Sequence, residues 1–86
     1  MNKVWHDDAW REYIAWQAQD KKTLKRINKL IEDIDSHPFT GIGKPEPLIG
    51  NLHGYWSRRI DEANRIVYRV ESNKLIIAQC GGHYDS

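Results

Sequence analysis

The chain has 86 residues, of which 13 are lysine or arginine and 12 are aspartate or glutamate, so its formal net charge is +1. This length suffices for one hydrophobic core, and we expect a single domain over residues 1–86. No segment approaches the ~20 apolar residues of a membrane span, and no signal-peptide pattern is seen, so a cytoplasmic protein without membrane association is expected. The single cysteine, Cys80, excludes an intramolecular disulfide and a metal site built from cysteines.

The start of the chain predicts a short edge strand followed by a helix. Val4 and Trp5 favour extended structure and can supply the strand. Asp7 and Asp8 are then favourable N-cap and first-turn residues, because their carboxylates accept hydrogen bonds from the free N–H groups at a helix N-terminus. Apolar and aromatic residues recur at helical spacing up to about Gln19, where we expect the first helix to end.

A second, amphipathic helix is predicted between Asp20 and Pro38. Asp20 is a favourable N-cap residue, and Pro38 ends the helix because proline disfavours the α conformation in the residue before it. Between them, leucine and isoleucine recur at steps of three and four, which predicts a stripe buried in the core. The stripe consists of Leu24, Ile27, Leu30, Ile31 and Ile34.

The second helix also carries five basic side chains with no acidic residue among them, which we call the basic block. The basic block consists of Lys21, Lys22, Lys25, Arg26 and Lys29. Charge runs of this length are common on solvated helix faces. They are also typical of surfaces that bind nucleic acid, and the block alone does not distinguish the two interpretations.

The segment 39–54 predicts a structured loop with a short strand near Leu48, because it holds two of the three prolines and four of the six glycines. Within it, Glu46 stands between Pro45 and Pro47, whose rings stiffen the backbone. A general base must be held within hydrogen-bond reach of the proton that it removes, so Glu46 is a candidate base. The alternative is that the prolines only shape the loop and that Glu46 is an ordinary exposed carboxylate.

Three strands are predicted at 55–60, 65–70 and 75–80, and apolar and polar residues alternate in the first two. The alternation places Trp56, Ile60, Ile66, Tyr68 and Val70 on a buried face. Arg59 and Arg65 then project together from the opposite face, where two guanidinium groups can hold an anion. The order of elements predicts an α+β fold with two N-terminal helices packed on one face of a mainly antiparallel twisted sheet.

His83 and Tyr84 follow a Gly-Gly pair at the end of the last predicted strand. The ordinary pKa of histidine, about 6.5, suits proton transfer near neutral pH, although a histidine near a chain end often has no such role. Tyr84 can stack on a nucleobase, orient the histidine or cap the edge of the core. The remaining histidines lack metal-ligand spacing, so neither a metal nor a cofactor is predicted.

Together these groups fit the cleavage of RNA through its own 2′-hydroxyl. The reaction needs a base, an acid and a cation beside the phosphate, but no metal. Glu46, His83 and Arg65 can supply the three roles in that order. Further RNA contacts are expected from Lys44, Arg58 and Arg59. Such groups occur in many small basic domains, so their presence alone does not establish the activity.

Several segments are found, in this order and separation, in a known family. The most specific are Gly-Lys-Pro-Glu-Pro-Leu at 43–48 and Trp-Ser-Arg-Arg-Ile at 56–60, with further matches at 25–31, 65–68 and 83–84. Over nearly its whole length the chain resembles the YoeB/Txe toxins, in the RelE-like group of bacterial toxin–antitoxin systems. The resemblance implies a RelE-like microbial ribonuclease-type fold.

The resemblance also implies a function. Family members are ribosome-dependent endoribonucleases that enter the A site and cut the mRNA codon there, leaving a 2′,3′-cyclic phosphate. By the family pattern Glu46 would be the general base, His83 the general acid and Arg65 the transition-state cation, while Tyr84 would orient the substrate. The basic block would face ribosomal RNA. The implied partners are mRNA, the ribosome, a YefM/Phd-type antitoxin whose tail covers the active site, and a second copy of the chain in a homodimer.

Two alternative functions stay open at this point. A protein of another class could block the A site by occupancy, without cleaving mRNA. A DNA-binding module is less favoured, because no helix-turn-helix signature is found and the cationic groups at issue lie on strands.

Three positions depart from the family pattern. Ile49 stands where a basic residue often follows the Pro-Leu pair, and Gly81 and Gly82 replace bulkier residues before the His-Tyr pair. These changes remove potential phosphate contacts and rigidity. Asp85 and Ser86 extend past the usual terminal tyrosine, and a carboxylate there can either raise the pKa of His83 or crowd the site.

Overall fold

A computed structural model describes residues 1–82 of the chain. Within this range the elements, in chain order, are β1 (Asn2–Trp5), α1 (Asp7–Gln19), α2 (Lys21–Ser36), β2 (Glu46–Pro47), β3 (Trp56–Arg59), β4 (Arg65–Glu71) and β5 (Lys74–Cys80), with a 3-10 turn at Gly50–Leu52. The strands form one sheet in the order β1-β5-β4-β3-β2. β1 is parallel to β5, and the other neighbouring pairs are antiparallel. No helix within residues 1–82 is long and apolar enough to cross a membrane.

The predicted α+β fold is confirmed, since both helices pack on one face of a mainly antiparallel sheet. The predicted edge strand is β1, and the strand expected near Leu48 is the two-residue β2. The N-cap predicted for the first helix was wrong. His6 occupies the N-cap position of α1, and Asp7 and Asp8 lie in its first turn.

The helix α2 packs on the sheet through the predicted apolar stripe. Ile27, Leu30 and Ile34 are fully buried, and they join Tyr68 and Ile77 of the sheet in one core cluster. Each buried side chain of this size contributes about 1.5–3 kcal/mol to folding. Because the helices fill this face of the sheet, a site on the sheet has to use the opposite face, which we call the helix-free face.

The start of α2 is capped as predicted. The Asp20 carboxylate accepts hydrogen bonds from the backbone N–H groups of Lys22 and Thr23, both at 3.1 Å. It also accepts one from the Thr23 hydroxyl at 2.7 Å. These bonds, the hydroxyl bond above all, hold the pKa of Asp20 below its usual value.

Side chains of α1 cover the part of β5 that extends beyond its neighbour β1. Glu12 Oε1 accepts a hydrogen bond from Cys80 N at 2.9 Å, and Trp16 Nε1 donates one to Cys80 O at 2.9 Å. These bonds replace those of a neighbouring strand and satisfy an edge that would otherwise be open. The helix α1 therefore fixes the end of β5, from which the chain continues to the predicted acid His83.

The glycine at position 81 is required where the chain leaves β5. Gly81 has a φ of +139°, and a Cβ there would lie 3.2 Å from Nε1 of Trp16. Since Trp16 is itself bonded to Cys80, the indole cannot move aside without losing that hydrogen bond. The backbone of this chain therefore requires glycine at position 81, where the family pattern has a bulkier residue.

We expect Gly81→Ala to lower the free energy of unfolding more than Gly54→Ala does. Both glycines have positive φ, so either alanine costs about 1–2 kcal/mol in backbone strain. At Gly54 nothing lies within 4 Å of the added Cβ, whereas at Gly81 the indole of Trp16 adds an overpacking cost of about 1–3 kcal/mol. Urea denaturation followed by tryptophan fluorescence measures both losses, and equal losses would contradict the tight packing of Gly81.

Candidate active site

Glu46, Arg59 and Arg65 project from the helix-free face of the sheet. Arg59 lies directly opposite Arg65 in the β3–β4 ladder, and Glu46 lies opposite Ser57 in the β2–β3 ladder. Ser57 and Arg59 are two residues apart on β3, so their side chains share a face. The predicted grouping of the two arginines is thereby confirmed, and the candidate base lies on the same surface.

Strand geometry gives the spacing of these groups. With strands ~4.8 Å apart and ~3.4 Å per residue, the backbone of Glu46 lies about 12 Å from that of Arg65. A glutamate and an arginine side chain can reach a common phosphate across this gap. Between them, Ser57 and Val67 are each 2% exposed and form the floor of the site. Glu46 and Arg59 are exposed, and Arg65 is half-buried.

The guanidinium of Arg65 is held by the loop between β3 and β4. Its Nη1 donates to the carbonyl oxygens of Asp61 at 3.0 Å and Asn64 at 3.2 Å. All the hydrogen bonds of this side chain to residues 1–82 run from Nη1, so within these residues its Nε and Nη2 donors are not engaged. The Arg65 backbone is also bonded to the segment that follows β5, since Arg65 N donates to Gly82 O at 3.0 Å.

The predicted general acid His83 and the predicted substrate-orienting Tyr84 lie outside the described residues, as do Asp85 and Ser86. Their roles stay predictions. The chain leads to them from Gly82, whose N–H donates to Asn64 Oδ1 at 2.7 Å, beside Arg65.

Lys44 and Ile49 lie before and after β2. Lys44 is exposed and has a φ of +53°, a left-handed conformation that costs a non-glycine residue about 1–2 kcal/mol. It follows Gly43, whose carbonyl accepts a hydrogen bond from Arg59 N at 2.7 Å. A Cβ at Gly43 would meet Leu30 Cδ2 at 2.7 Å, so only glycine lets the loop approach the core this closely. Ile49 is 73% exposed and presents an apolar side chain to solvent.

The prediction that Arg58 contacts RNA is wrong for this structure, because its side chain is 0% exposed. Arg58 lies between Ser57 and Arg59 on β3 and therefore points to the helix-covered face. A guanidinium has five N–H donors, and all five are used here. The acceptors are Asp33 Oδ2, the carbonyl oxygens of Ile42 (3.0 Å), His37 and Thr40 (2.8 Å), and the hydroxyl of Tyr68 (3.2 Å).

Arg58 instead positions the loop that connects α2 to β2. Its acceptors come from the end of α2, from that loop and from β4, so one side chain ties three parts of the fold together. Tyr68 extends the network by donating to Pro38 O at 2.6 Å, and burial raises the pKa of its hydroxyl. Asp33 accepts from Arg58 and from Ile42 N at 3.1 Å, and these bonds hold its pKa below the ordinary value.

Sequence reasoning missed Asp33 and Tyr68 as partners of Arg58. They lie 25 and 10 residues away from it along the chain, and no local pattern links them. A signal does exist in the strand alternation, which assigns Arg58 to the same face as Trp56 and Ile60. A charged residue on a buried face predicts partners, but not which ones.

The structure does not bring the basic block together with the candidate site. Four of its residues are exposed and Arg26 is half-buried, all on α2. The sheet lies between this helix and the helix-free face that carries Glu46. The two predicted RNA-contacting surfaces therefore lie on opposite sides of the sheet.

Comparison with known proteins identifies close relatives of the chain. The model of a family described as YoeB-like toxin of bacterial type II toxin-antitoxin system matches residues 5–84. Toxin YoeB of Escherichia coli K12 is 50% identical over 84 residues, covering 98% of this chain and 100% of the relative.

Solved structures of relatives have the same fold. A YoeB/ParE toxin from Agrobacterium tumefaciens superposes with a TM-score of 0.95 at 45% identity, covering 98% of this chain and 100% of that one. A YoeB dimer from Staphylococcus aureus gives a TM-score of 0.91 at 45% identity, with 98% of each chain covered. The heterotetrameric YoeB-YefM complex from the same organism gives 0.90, with the same identity and coverage.

We expect Arg58→Met to lower the free energy of unfolding by about 3–5 kcal/mol, because it leaves buried acceptors and the Asp33 carboxylate without their donor. The matched control is Arg59→Met, the exposed neighbour with the same chemistry, for which we expect a change within about 0.5 kcal/mol. Urea denaturation of both variants measures the difference. A loss that is as large in the control as in Arg58→Met would contradict the role of Arg58.

The same ion pair makes stability depend on pH. Since the folded protein lowers the pKa of Asp33, this group contributes stability fully above the unfolded pKa of about 3.9, and the contribution is lost as pH falls through the lower folded pKa. Between pH 7 and pH 3 we expect the urea midpoint to fall less in Asp33→Asn than in the parent chain. Asp20, Asp35 and Asp61 also have lowered pKa values, so the variant keeps part of the pH dependence. An identical fall in both proteins would exclude Asp33 as a contributor.

Proposed function

Because the chain belongs to the family of YoeB-like toxins of bacterial type II toxin-antitoxin systems, we propose that it is an endoribonuclease that cuts mRNA codons in the ribosomal A site. The observation that carries the proposal is the common placement of Glu46, Arg59 and Arg65 on the helix-free face. A carboxylate and two guanidinium groups around one gap suit a phosphodiester whose own 2′-hydroxyl is the nucleophile.

The proposed chemistry needs no metal. Glu46 removes the proton from the 2′-hydroxyl, and the 2′-oxygen attacks the adjacent phosphorus. The bond between phosphorus and the 5′-oxygen breaks, leaving a 2′,3′-cyclic phosphate on one fragment. His83 donates a proton to the departing 5′-oxygen, and Arg65 balances the charge that develops on the phosphate. Arg59 and Lys44 hold the flanking backbone.

The shape and charge of the molecule support the proposed dependence on the ribosome. Within residues 1–82 the candidate site is a sheet surface that does not itself enclose and orient an RNA strand, and orientation is a large part of the barrier to such a reaction. The ribosomal A site can supply this orientation of the RNA. Because the basic block and the site lie on opposite sides of the sheet, a partner that surrounds the protein can contact both, with ribosomal RNA on α2 and mRNA on the helix-free face.

The proposed partners follow the relatives. The Staphylococcus aureus toxin is seen as a dimer and in a heterotetrameric complex with YefM. We extend both to this chain: it forms a homodimer, and a YefM/Phd-type antitoxin neutralises it in the cytoplasm by covering the site.

A second candidate is inhibition by occupancy of the A site without cleavage. The observation that favours it is the exposure of the basic block, which can bind ribosomal RNA whether or not Glu46 acts. In that case toxicity would depend on α2 and not on the helix-free face.

We expect Glu46→Gln to reduce mRNA cleavage by about 10²–10⁴-fold, because the amide cannot accept the hydroxyl proton. The measurement is sequencing of RNA 3′ ends after brief induction, with 2′,3′-cyclic phosphates expected inside translated codons. Glu32→Gln, an exposed carboxylate on α2, is the matched control and should cleave like the parent. If Glu46→Gln still arrests growth while mRNA stays intact, inhibition by occupancy is favoured. If the parent protein cuts untranslated RNA as often as translated codons, dependence on the ribosome is excluded.

A further inference from the structure

A tyrosine and an arginine lie in contact on the helix-free face, next to the candidate base. The guanidinium carbon of Arg69 is 5.7 Å from the centre of the Tyr55 ring. Tyr55 comes one position before Trp56, which pairs with Tyr68, so Tyr55 lies opposite Arg69. Trp56 and Tyr68 point into the core, and their neighbours Tyr55 and Arg69 therefore point away from the helices.

The pair belongs to an ordered set of rows across the sheet. Leu48 N donates to Tyr55 O at 2.9 Å, which continues the β2–β3 ladder one step beyond the Pro47–Trp56 pair. Tyr55 and Arg69 thus form a row two residues, or about 7 Å, from the row of Glu46 and Ser57. The row of Arg59 and Arg65 lies at the same spacing on the other side of Glu46.

This spacing is comparable to one nucleotide step of an extended RNA strand. A strand whose reacting phosphate lies beside Glu46, within reach of the Arg65 side chain, and which runs along β3 toward Tyr55 brings its next nucleotide over Tyr55 and Arg69. An aromatic ring beside a guanidinium is the combination that binds single-stranded nucleic acid, the ring by stacking on the base and the cation by contacting the phosphate.

We propose that Tyr55 and Arg69 form a nucleotide subsite that holds the residue adjacent to the cleaved phosphate. This inference rests on the proposed function. The subsite accepts any base, because every nucleobase has a face that can stack and neither side chain reads a base edge from this arrangement. It contributes to binding and to orientation of the strand, whereas Glu46 contributes to the chemical step.

The carboxylate that now pairs with Arg69 does not prevent phosphate binding. Arg69 Nη1 lies 2.9 Å from Glu71 Oε2, with side chains 32% and 60% exposed. Ion pairs this exposed contribute little to stability, so a phosphate group can take the place of Glu71. The packing of Arg69 over Tyr55 also limits the motion of both side chains before RNA arrives, which reduces the entropy lost on binding.

The test is single-turnover cleavage of mRNA on programmed ribosomes, with the toxin concentration varied. We expect Tyr55→Leu to raise the half-saturating concentration by about 5- to 100-fold, which corresponds to the loss of one base stack. Tyr55→Phe keeps the ring and should behave like the parent. Arg69→Gln should make the slope of log affinity against log salt less negative by about 0.7, the value for one lost phosphate contact.

The matched control for the charge change is Arg11→Gln, an exposed arginine on α1 that is likewise paired with a carboxylate, Asp8. It should leave the salt slope unchanged. Circular dichroism checks that each variant is folded, and if Tyr55→Leu does not fold, the salt slope of Arg69→Gln decides. The subsite would be overturned if Tyr55→Leu had the same half-saturating concentration as the parent. It would also be overturned if Arg69→Gln and Arg11→Gln showed the same dependence of affinity on salt. Either result would leave the nuclease assignment in place.

A parent chain that cuts no mRNA would instead refute the proposed function. In that case the affinity of the same variants for a fluorescent single-stranded RNA decides on the subsite. A weaker affinity in Tyr55→Leu and Arg69→Gln would support it, and an unchanged affinity would overturn it.

Discussion

The interaction on which the rest of this structure depends is the buried guanidinium of Arg58. A fully buried charge is costly unless its hydrogen bonds are satisfied, and here all five N–H groups have acceptors, one of which is the Asp33 carboxylate. Those acceptors belong to the end of α2, to the loop after it and to β4. These hydrogen bonds hold the loop in the conformation that leads into β2.

The position of Glu46 follows from that loop. After Ile42, the chain passes the core at Gly43, turns at the left-handed Lys44 and enters β2, where it pairs with β3. The next residue along β3 after Arg58 is Arg59, which points to the other face and stands opposite Arg65. One strand thus carries both the arginine that organises the scaffold and an arginine of the candidate site.

The two faces of the sheet have different roles in the molecule. The helical side supplies the core, closes the end of β5 through Glu12 and Trp16, and displays the basic block to its surroundings. The helix-free side carries the charged residues around Ser57 and Val67, with the Tyr55–Arg69 pair beside them. A protein of 86 residues has little surface to enclose a substrate, and this arrangement suits the proposed reaction, in which a larger partner presents the RNA.

The sequence by itself determined the elements and the faces on which most residues lie, because hydrophobic periodicity and proline and glycine positions are local properties. It placed Arg59 with Arg65, identified the stripe of α2 and predicted the Asp20 cap. Only the tertiary structure showed that Arg58 is a buried hub, that the basic block and the site lie on opposite sides, and that Tyr55 contacts Arg69. Each of these depends on groups far apart in the chain, and a contact between distant residues is decided by how the elements pack.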